Sequence, residues 1–452
     1  MAISFIRKAA IWSACAGAFT ACSLPEDLSG DVTNDEPAES STQSAITLGS
    51  HLPGIAEADF DEALDNFNLG ESIDDGIGPV FNETACGNCH TGGAQGGAGE
   101  QIERRFGRVA NGVFRELANE GGSLRQLKTL GSFTNGTRSC TVPLEREPAD
   151  ATVHNVGRLT TPLFGLGLVD AMPDSFFDQL AANEPSNVRG IVRRVPVLVP
   201  NPRDASQGIG TVRVARFGWK AGVSNLATFA ADAYKNEMGI TTQHCFRGTS
   251  ITAFATESAP NGVAQPAGCD DLAAAAPAGV PAGTDDAVGS CAGGLTELQE
   301  DVQNFLTFMT FLAPTERDLS DAAAINAGAP IFNQIGCNGC HVTTTFRTPN
   351  PAPNGVPGNF AFNPFSDFLV HDMGSLGDGI GDDGDAVAVT RRMRTAPLWG
   401  IRFRNHLLHD GRTGDVATAI LAHDGQALTS RNAFNALSAA NKHIVVQFVR
   451  SP

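Results

Sequence analysis

The chain has 452 residues, enough for two or three domains with sizeable hydrophobic cores. It carries 49 acidic and 31 basic side chains, and the net charge of −18 argues against nucleic-acid binding and against a polybasic membrane contact. Ten cysteines are many for a reducing compartment, which favours an exported protein.

Residues 1–22 are typical of an export signal, because basic residues precede an apolar stretch that is too short to span a bilayer. The string Phe-Thr-Ala-Cys22 is similar to a bacterial lipobox. We therefore expect lipidation at Cys22, with cleavage by ordinary signal peptidase as the alternative. Residues 23–50 are rich in Ser, Asp, Glu, Thr and Pro and predict a disordered tether. The expected location is the bacterial periplasm, with the lipid held in the outer membrane.

A helix is predicted over residues 56–67, where Phe60, Leu64 and Phe67 recur at helical spacing. It leads to the string Pro-Val-Phe-Asn-Glu-Thr-Ala-Cys-Gly-Asn-Cys-His90. The chain repeats this string with the same spacing as Pro-Ile-Phe-Asn-Gln-Ile-Gly-Cys-Asn-Gly-Cys-His341. Two such copies indicate an internal duplication.

Both copies end in Cys-x-x-Cys-His, the attachment site of a c-type haem. The two thiols bond to the haem vinyl groups, and the adjacent histidine is the proximal iron ligand. A zinc site would need four converging ligands, whereas each pair of cysteines here has its own histidine. The sequence therefore predicts two covalent haems. The first would be attached through Cys86 and Cys89 with His90 as the iron ligand, and the second through Cys337 and Cys340 with His341 as the iron ligand.

The middle of the chain predicts two irregular additions. Segments 188–199 and 210–217 alternate in hydrophobicity around a turn and predict a β-hairpin. Residues 258–294, rich in Ala, Pro and Gly, predict a surface insertion. Four cysteines remain for disulfides, and they allow three pairings, one of which would close the insertion on itself; they are Cys140, Cys245, Cys269 and Cys291.

Helical spacing returns at residues 295–312, with Val302, Phe305 and Met309 on one face. Ser320 and Ser438 are placed to cap two further helices. The predicted fold is therefore mainly α. It consists of two cytochrome c-like haem domains from a tandem duplication, residues 51–257 and 295–452, with the hairpin and the insertion between them.

A second shared string follows each haem string. The first is Arg158-Leu-Thr-Thr-Pro-Leu-Phe-Gly165 and the second is Met393-Arg-Thr-Ala-Pro-Leu-Trp-Gly400, so Met393 aligns with Arg158. A thioether ligand raises the potential of a haem and closes its coordination sphere. We therefore expect a second haem with His341 and Met393 as ligands for electron transfer, and a reactive first haem. The alternatives are a core methionine at position 393, or His371 or Met373 as the ligand.

Long ordered strings resemble the bacterial di-haem cytochrome c peroxidase superfamily, which includes the MauG-type protein-oxidising enzymes. The resemblance is strongest to its di-haem oxidoreductase branch, once labelled thiol oxidoreductases, and it covers most of residues 55–450. The strings are Gly78-Pro-Val-Phe-Asn82, Pro162-Leu-Phe-Gly-Leu-Gly-Leu-Val-Asp170, Arg216-Phe-Gly-Trp-Lys-Ala221, Phe368-Leu-Val-His-Asp-Met-Gly374, Arg394-Thr-Ala-Pro-Leu-Trp-Gly400 and Leu407-Leu-His-Asp-Gly-Arg412.

The resemblance implies roles for particular residues. A string similar to Asn-Glu237-Met-Gly carries the peroxidase glutamate, so Glu237 is the expected acid and base for O–O cleavage. The peroxidases have a tryptophan between the haems where this chain has Phe164, and Trp219 or Trp399 are the possible substitutes. Candidate distal ligands of the first haem are His154, His371, His406 and His409. An acidic loop offers a less favoured Ca²⁺ site with Asp378, Asp382, Asp383 and Asp385.

The resemblance implies an oxidoreductase that takes electrons through the C-terminal haem and reduces hydrogen peroxide at the N-terminal haem. The expected electron donor is a small cytochrome or a cupredoxin. One alternative is an electron-transfer cytochrome with two closed haems and no substrate. Another is a MauG-like oxidation of a protein or organic substrate.

Overall fold

A computed structural model describes residues 47–269, 280–294 and 297–452. The predicted export signal with Cys22, most of the predicted tether and residues 270–279 of the predicted insertion lie outside these residues. The described residues belong to one compact unit, Ala45–Pro452. Within it, no described helix has the length and apolar character that crossing a bilayer requires.

The helices and strands of the described residues are mostly short. The α-helices are α1 Glu57–Asn68, α2 Cys86–Cys89, α3 Leu166–Asp170, α4 Asp174–Asn183, α5 Leu226–Ala233, α6 Glu300–Phe311, α7 Ala322–Gln334, α8 Val387–Thr390, α9 Val416–Leu421, α10 Leu428–Ala436 and α11 Ala439–Arg450. The strands are β1 Val80–Phe81, β2 Ile102–Ala110, β3 Val113–Arg115, β4 Leu124–Arg125, β5 Lys128–Thr129, β6 Ser132–Asn135, β7 Arg138–Thr141, β8 Val153–Leu159, β9 Arg194–Pro196, β10 Val212–Val214, β11 Thr242–Phe246, β12 Thr249–Phe254, β13 Asp286–Ala287, β14 Phe346–Arg347, β15 Ala361–Phe362, β16 Val370–Asp372 and β17 Arg392–Arg394. A π-helical turn, Tyr234–Met238, continues α5.

The prediction of a mainly α fold is wrong. The structure is 31% helix and 18% strand, and the strands form several small sheets. In the sheet with four strands, β2 pairs antiparallel with β3, β4 and β8. Strand β2, with the sequence Ile-Glu-Arg-Arg-Phe-Gly-Arg-Val-Ala, lacks apolar alternation. Its Glu103 and Arg105 side chains line an internal cavity. A strand of this kind has no hydrophobic signature.

The predicted hairpin is confirmed in a shorter form, with Arg194–Pro196 antiparallel to Val212–Val214. The disulfides do not close the insertion on itself, which was one of the three pairings that the sequence allows. They join Cys140 to Cys269 and Cys245 to Cys291, so each insertion cysteine is tied to a strand outside the insertion, β7 or β11. The insertion also supplies β13, which pairs parallel with β11.

The predicted helices near both haem strings are confirmed. α1 buries Phe60 and Phe67 against α6, and α7 packs against α11. Ser438 caps α11 by accepting a hydrogen bond from the N–H of Asn441 at 3.2 Å. The cap of α7 is Asp321 rather than Ser320, because the Asp321 carboxylate accepts from the N–H of Ala324 at 3.0 Å.

The two Pro-Leu-aromatic-Gly strings interlock. Gly165 and Gly400 have φ angles of +67° and +69°, the left-handed region that favours glycine. A methyl group at Gly165 would lie 2.8 Å from the Trp399 ring, and one at Gly400 would lie 3.7 Å from the Phe164 ring. The aromatic side chain of each string therefore packs on the glycine of the other. Each glycine N–H also donates to a carbonyl just beyond the end of α6 or α11, so the two strings make equivalent local contacts.

Candidate active site

A cavity of about 620 Å³ lies beside the first Cys-x-x-Cys-His string. Its wall includes Cys86, Cys89 and His90, and on another element Glu237. Sites for cofactors and other small ligands typically enclose about 300–1,000 Å³. The structure therefore brings the first predicted haem string and the predicted acid–base residue to one cavity.

The two Cys-x-x-Cys-His strings adopt similar local structures. Each forms one helical turn, in which the N–H of the histidine donates to the carbonyl of the first cysteine. The distance is 3.2 Å from His90 to Cys86 and 3.0 Å from His341 to Cys337. One turn places the two thiols on the same side of the backbone with the histidine next to them.

Hydrogen bonds orient both histidines in the way that metal ligation requires. The Nδ1 atom of His90 lies 3.3 Å from the carbonyl of Gly97, and that of His341 lies 2.9 Å from the carbonyl of Phe365. A donated Nδ1–H leaves Nε2 with its lone pair for a metal. Burial lowers the pKa of each histidine to about 4, so both rings are neutral at neutral pH. A neutral imidazole is the form that binds iron.

The cysteine chemistry also fits two haems. The four thiols of the Cys-x-x-Cys-His strings are free. The remaining cysteines of the described residues pair with each other in the two disulfides. Free paired thiols, neutral histidines and, in the first half, a cavity of suitable size form a donor set that fits c-type haem.

Glu237 is held at the cavity by the first copy of the Phe-Asn string. It lies in the π-helical turn Tyr234–Met238, a structure often found at functional sites. The Asn82 side-chain amide donates to Glu237 Oε2 at 2.8 Å, and the Asn82 N–H donates to the Glu237 carbonyl at 2.7 Å. The Asn82 Oδ1 accepts from the N–H of Leu127 at 3.0 Å, which fixes the amide.

The surroundings of Glu237 tune its acidity. Burial, followed by the nearby Glu103 carboxylate, raises the pKa of Glu237 to about 7. The Asn82 hydrogen bond and the Arg105 charge act in the opposite direction. A carboxyl group with a pKa near neutrality can both accept and return a proton under physiological conditions.

Arg158 and Met393, which occupy aligned positions in the two strings, lie beside the same buried ion pair between Asp378 and Lys220. The Arg158 Nε donates to Asp378 Oδ2 at 2.9 Å, and the Lys220 ammonium donates to Asp378 Oδ1 at 3.0 Å. The same ammonium lies 3.8 Å from Met393 Sδ. Arg158 and Lys220 also line the cavity, whereas Met393 does not. The duplicated positions are therefore neighbours with different surroundings.

Met393 is buried on β17 directly opposite His371 on β16. Directly opposed residues of an antiparallel pair point to the same face of the sheet. His371 Nδ1 lies 3.6 Å from the sulfur of Cys340, so this face adjoins the second haem string. Burial alone would lower the pKa of His371, but its Asp367 partner at 3.0 Å raises it to about 11. The His371 ring is thus held by Asp367, while Met373 is only partly buried, and the choice of Met393 as the ligand stays a prediction.

The two candidate tryptophans lie in different places. Trp219 lines the cavity and its indole N–H donates to the Leu159 carbonyl at 2.8 Å. Its own carbonyl accepts from the N–H of Arg394 at 2.8 Å, next to Met393. Trp399 is buried against Phe362, with ring centroids 6.2 Å apart, and is not part of the cavity wall. Trp219 is thus the tryptophan between the cavity and β17.

The other candidate ligands of the first haem do not belong to the cavity wall; they are His154, His371, His406 and His409. Among the described residues, His90 is the one histidine of the cavity wall. In the acidic loop, Asp378, Asp382 and Asp383 pair with cationic side chains from other parts of the chain. Asp385 instead accepts from the N–H of Asp382. A calcium site in this loop stays a prediction.

The sequence analysis missed the charged wall around Glu237, which comprises Glu103, Arg105 and Asp232. It also gave no role to Asn82, although Asn82 belongs to a quoted string. The signal for Asn82 was present, since the Phe-Asn pair recurs in both copies. The charged wall had no signal, because its residues come from β2 and α5 and meet only in the folded chain.

Comparison with known families gives one match. A family described as "Di-haem oxidoreductase, putative peroxidase" matches residues 147–452, which is more than half of the chain. The matched range contains Glu237, Met393 and the second Cys-x-x-Cys-His string, while the first string precedes it. No curated protein matches the chain.

Proposed function

Because the chain belongs to the di-haem oxidoreductase family, we propose that it reduces hydrogen peroxide at its first haem site with electrons that enter through its second. One observation carries this proposal. The cavity beside Cys86, Cys89 and His90 also holds Glu237, a carboxyl group with a pKa near neutrality.

The proposal includes two covalent haem c groups, one on each Cys-x-x-Cys-His string. His90 and His341 would supply the proximal nitrogen in each half. When bound, the haem iron supplies a binding site for a peroxide oxygen and passes on electrons. The hydrogen bonds of His90 to Gly97 and of His341 to Phe365 keep both rings in the orientation that ligation needs.

Glu237 is the residue that moves the proton. Reduction of peroxide to two waters requires that one oxygen lose its proton and that the departing oxygen gain one. The ionised Glu237 carboxylate accepts the first proton and returns it to the departing oxygen. Its bond from Asn82 fixes the carboxylate, and the pKa near 7 makes both transfers possible.

The difference between Arg158 and Met393 assigns the two halves different roles. A guanidinium has no lone pair to offer iron, and that of Arg158 is held by Asp378. A thioether is a good ligand of haem iron and raises its potential. We propose that Met393 closes the second haem for electron transfer, while the first keeps room for peroxide. Trp219 lines the cavity, and its carbonyl accepts a hydrogen bond from the N–H of Arg394, the residue after Met393.

The electron donor and the location rest on the sequence alone. We propose a small cytochrome or cupredoxin as the donor, and export with lipidation at Cys22. The acidic charge of −18 favours a donor with a basic surface, because opposite charges increase the rate of encounter.

The experiment that tests this function is stopped-flow mixing of the reduced, haem-loaded protein with hydrogen peroxide, with both haem spectra followed. We expect rapid oxidation and a transient change at one haem, on a time scale that closed cytochromes do not reach. Slow oxidation with two unchanged low-spin spectra would exclude the peroxidase function. The protein would then act as an electron carrier.

A further inference from the structure

Tyr234, the one tyrosine of the sequence, is almost completely buried behind the cavity wall. It begins the π-helical turn that carries Glu237. Its ring packs edge-on against Phe305, with centroids 5.1 Å apart, and Phe305 lines the cavity. A single aromatic side chain, that of Phe305, therefore separates the phenol from the cavity.

The phenol of Tyr234 contacts two carboxylates. Its oxygen lies 3.1 Å from Asp301 Oδ2 and 3.2 Å from Glu71 Oε1. A single O–H can serve as the donor to only one of them at a time, so the second carboxyl remains close to the same proton. Both carboxyl groups are partly accessible to solvent. A proton that leaves the phenol can therefore reach the surface of the protein.

The charges around Tyr234 favour loss of the phenol proton only when the phenol also loses an electron. Burial, followed by the Asp301 and Glu71 carboxylates, raises the pKa of Tyr234, so the phenol is protonated in the resting protein. Burial and the Asp301 charge also raise the pKa of Glu71, to about 7. An oxidised phenol is a strong acid, and the adjacent carboxylates are ready acceptors for its proton.

We propose that Tyr234 is a redox-active residue that gives one electron to the peroxide reaction and one proton to Asp301 or Glu71. This inference rests on the proposed function of the first haem site. Hydrogen peroxide takes two electrons and two protons and becomes two waters. Tyr234 supplies one of these electrons and becomes a neutral phenoxyl radical, and the second haem supplies the other. An electron from the donor and the proton held by the carboxylate then restore the phenol.

The composition of the chain allows a direct test by electron paramagnetic resonance. Haem-loaded protein is mixed with hydrogen peroxide, frozen within milliseconds and examined for a radical signal. Ring-deuterated tyrosine labels one position only, so a narrower signal in the labelled protein assigns the radical to Tyr234 without any mutation. The variant Tyr234→Phe is expected to lack the signal and to keep both haem spectra.

Two further variants test the proton acceptors. The double change Glu71→Gln and Asp301→Asn keeps hydrogen-bond acceptors but removes the bases, and it should lower the radical yield about tenfold or more. Asp74→Asn removes a nearby exposed acid that makes no hydrogen bond to the phenol, and it should leave the signal unchanged.

The outcomes separate this inference from the proposed function. Peroxide could change a haem spectrum and produce a radical signal that does not come from tyrosine. Deuterated tyrosine would then leave the radical signal unchanged, or deuterated tryptophan would narrow it. Either result overturns the role of Tyr234 alone. The same conclusion follows if Tyr234→Phe keeps the signal. The absence of any haem spectral change after peroxide overturns both the proposed function and this inference.

Discussion

The two copies of the Pro-x-Phe-Asn string have different structures. In the first copy Val80–Phe81 is the extended strand β1, paired with Lys128–Thr129. In the second copy the corresponding residues lie within helix α7, Ala322–Gln334, even though that string contains Pro330. Asn82 is buried and bonded to Glu237, whereas Asn333 is exposed. The same four-residue pattern thus holds the turn that carries Glu237 in one half and forms part of an ordinary helix in the other.

This difference shows that the surroundings, rather than the string, decide the role of each copy. The strings that follow retain a common structure, one helical turn that ends at a histidine. In the first half, β2 and the π-helical turn contribute charged side chains to the cavity beside the Cys-x-x-Cys-His turn. The second half instead adjoins β16 and β17, with a buried methionine. The two copies therefore share the Cys-x-x-Cys-His turn and differ in the elements that surround it.

The sharpest test of this asymmetry is Glu237→Gln. Loss of the proton acceptor should lower the rate of peroxide reduction by about 10²–10⁴-fold, while both haem spectra stay unchanged. Stopped-flow spectroscopy at neutral pH measures this rate. The matched control is Glu184→Gln, because Glu184 is a buried carboxyl near the second haem string, with a pKa raised to about 8 by burial and by Asp367. A similar loss in both variants would contradict a single reactive half.

Met393→Ala tests the other half of the comparison. Loss of the thioether should lower the potential of the second haem by on the order of 0.1 V, because axial ligands set haem potentials over a range of about 0.8 V. The first haem should keep its potential. A spectroelectrochemical titration resolves the two haems, and Met373→Ala is the control. A shift in the Met373 variant with none in the Met393 variant would assign the ligand to position 373.

Asn82→Ala and Asn333→Ala compare the two copies directly. Removal of Asn82 leaves buried groups without their partner and should lower the free energy of unfolding by about 1–3 kcal/mol. The exposed Asn333 should change it by no more than about 0.5 kcal/mol. Chemical denaturation of the haem-loaded proteins measures both values, and equal losses would show that the two strings have equivalent surroundings.

The Asn82 variant also has a pH signature. The reaction needs the ionised carboxylate of Glu237, so the rate should rise with pH around the pKa of about 7. The Asn82 hydrogen bond lowers that pKa, and its loss raises it. The rate profile should therefore move to higher pH in Asn82→Ala. An unmoved profile would remove Asn82 from the control of Glu237.

The two Cys-x-x-Cys-His strings can be read directly from the sequence. Helical spacing predicted the helices that precede or follow them. Phe60 and Phe67 in α1 and Val302, Phe305 and Met309 in α6 are buried as their spacing indicates. These features depend on neighbours within one or two turns. The duplicated Pro-Leu strings were also visible, because repeats are detected without knowledge of the fold.

Features that depend on distant residues were not predictable in this way. The strand β2 exposes charged residues to an internal cavity, so it lacks the alternation that marks an amphipathic strand. The disulfide partner of Cys269 is 129 residues away, and no local signal distinguishes Cys140 from the other candidates. The bridge from Arg158 through Asp378 to Lys220 joins three separate segments. Such contacts are fixed by tertiary structure.

The smallest expected effect concerns Gly165 and Gly400, where the two Pro-Leu-aromatic-Gly strings make equivalent contacts. Alanine in the left-handed region costs about 1–2 kcal/mol at either position. At Gly165 the new methyl group would also lie 2.8 Å from the Trp399 ring and 3.0 Å from Pro314, and both neighbours are rigid. At Gly400 the nearest atom is the Thr315 methyl at 3.1 Å, and a threonine side chain adjusts more easily.

We therefore expect Gly165→Ala to be more destabilising than Gly400→Ala by about 1 kcal/mol, the lower end of the cost of overpacking. The midpoints of guanidinium unfolding, with equal slopes, give this difference. Trp399→Phe provides the control, because a smaller ring leaves space for the methyl group at Gly165. In that background the difference between the two alanine variants should become smaller, with the Pro314 contact still present, and an unchanged difference would show that the Trp399 contact is not its cause.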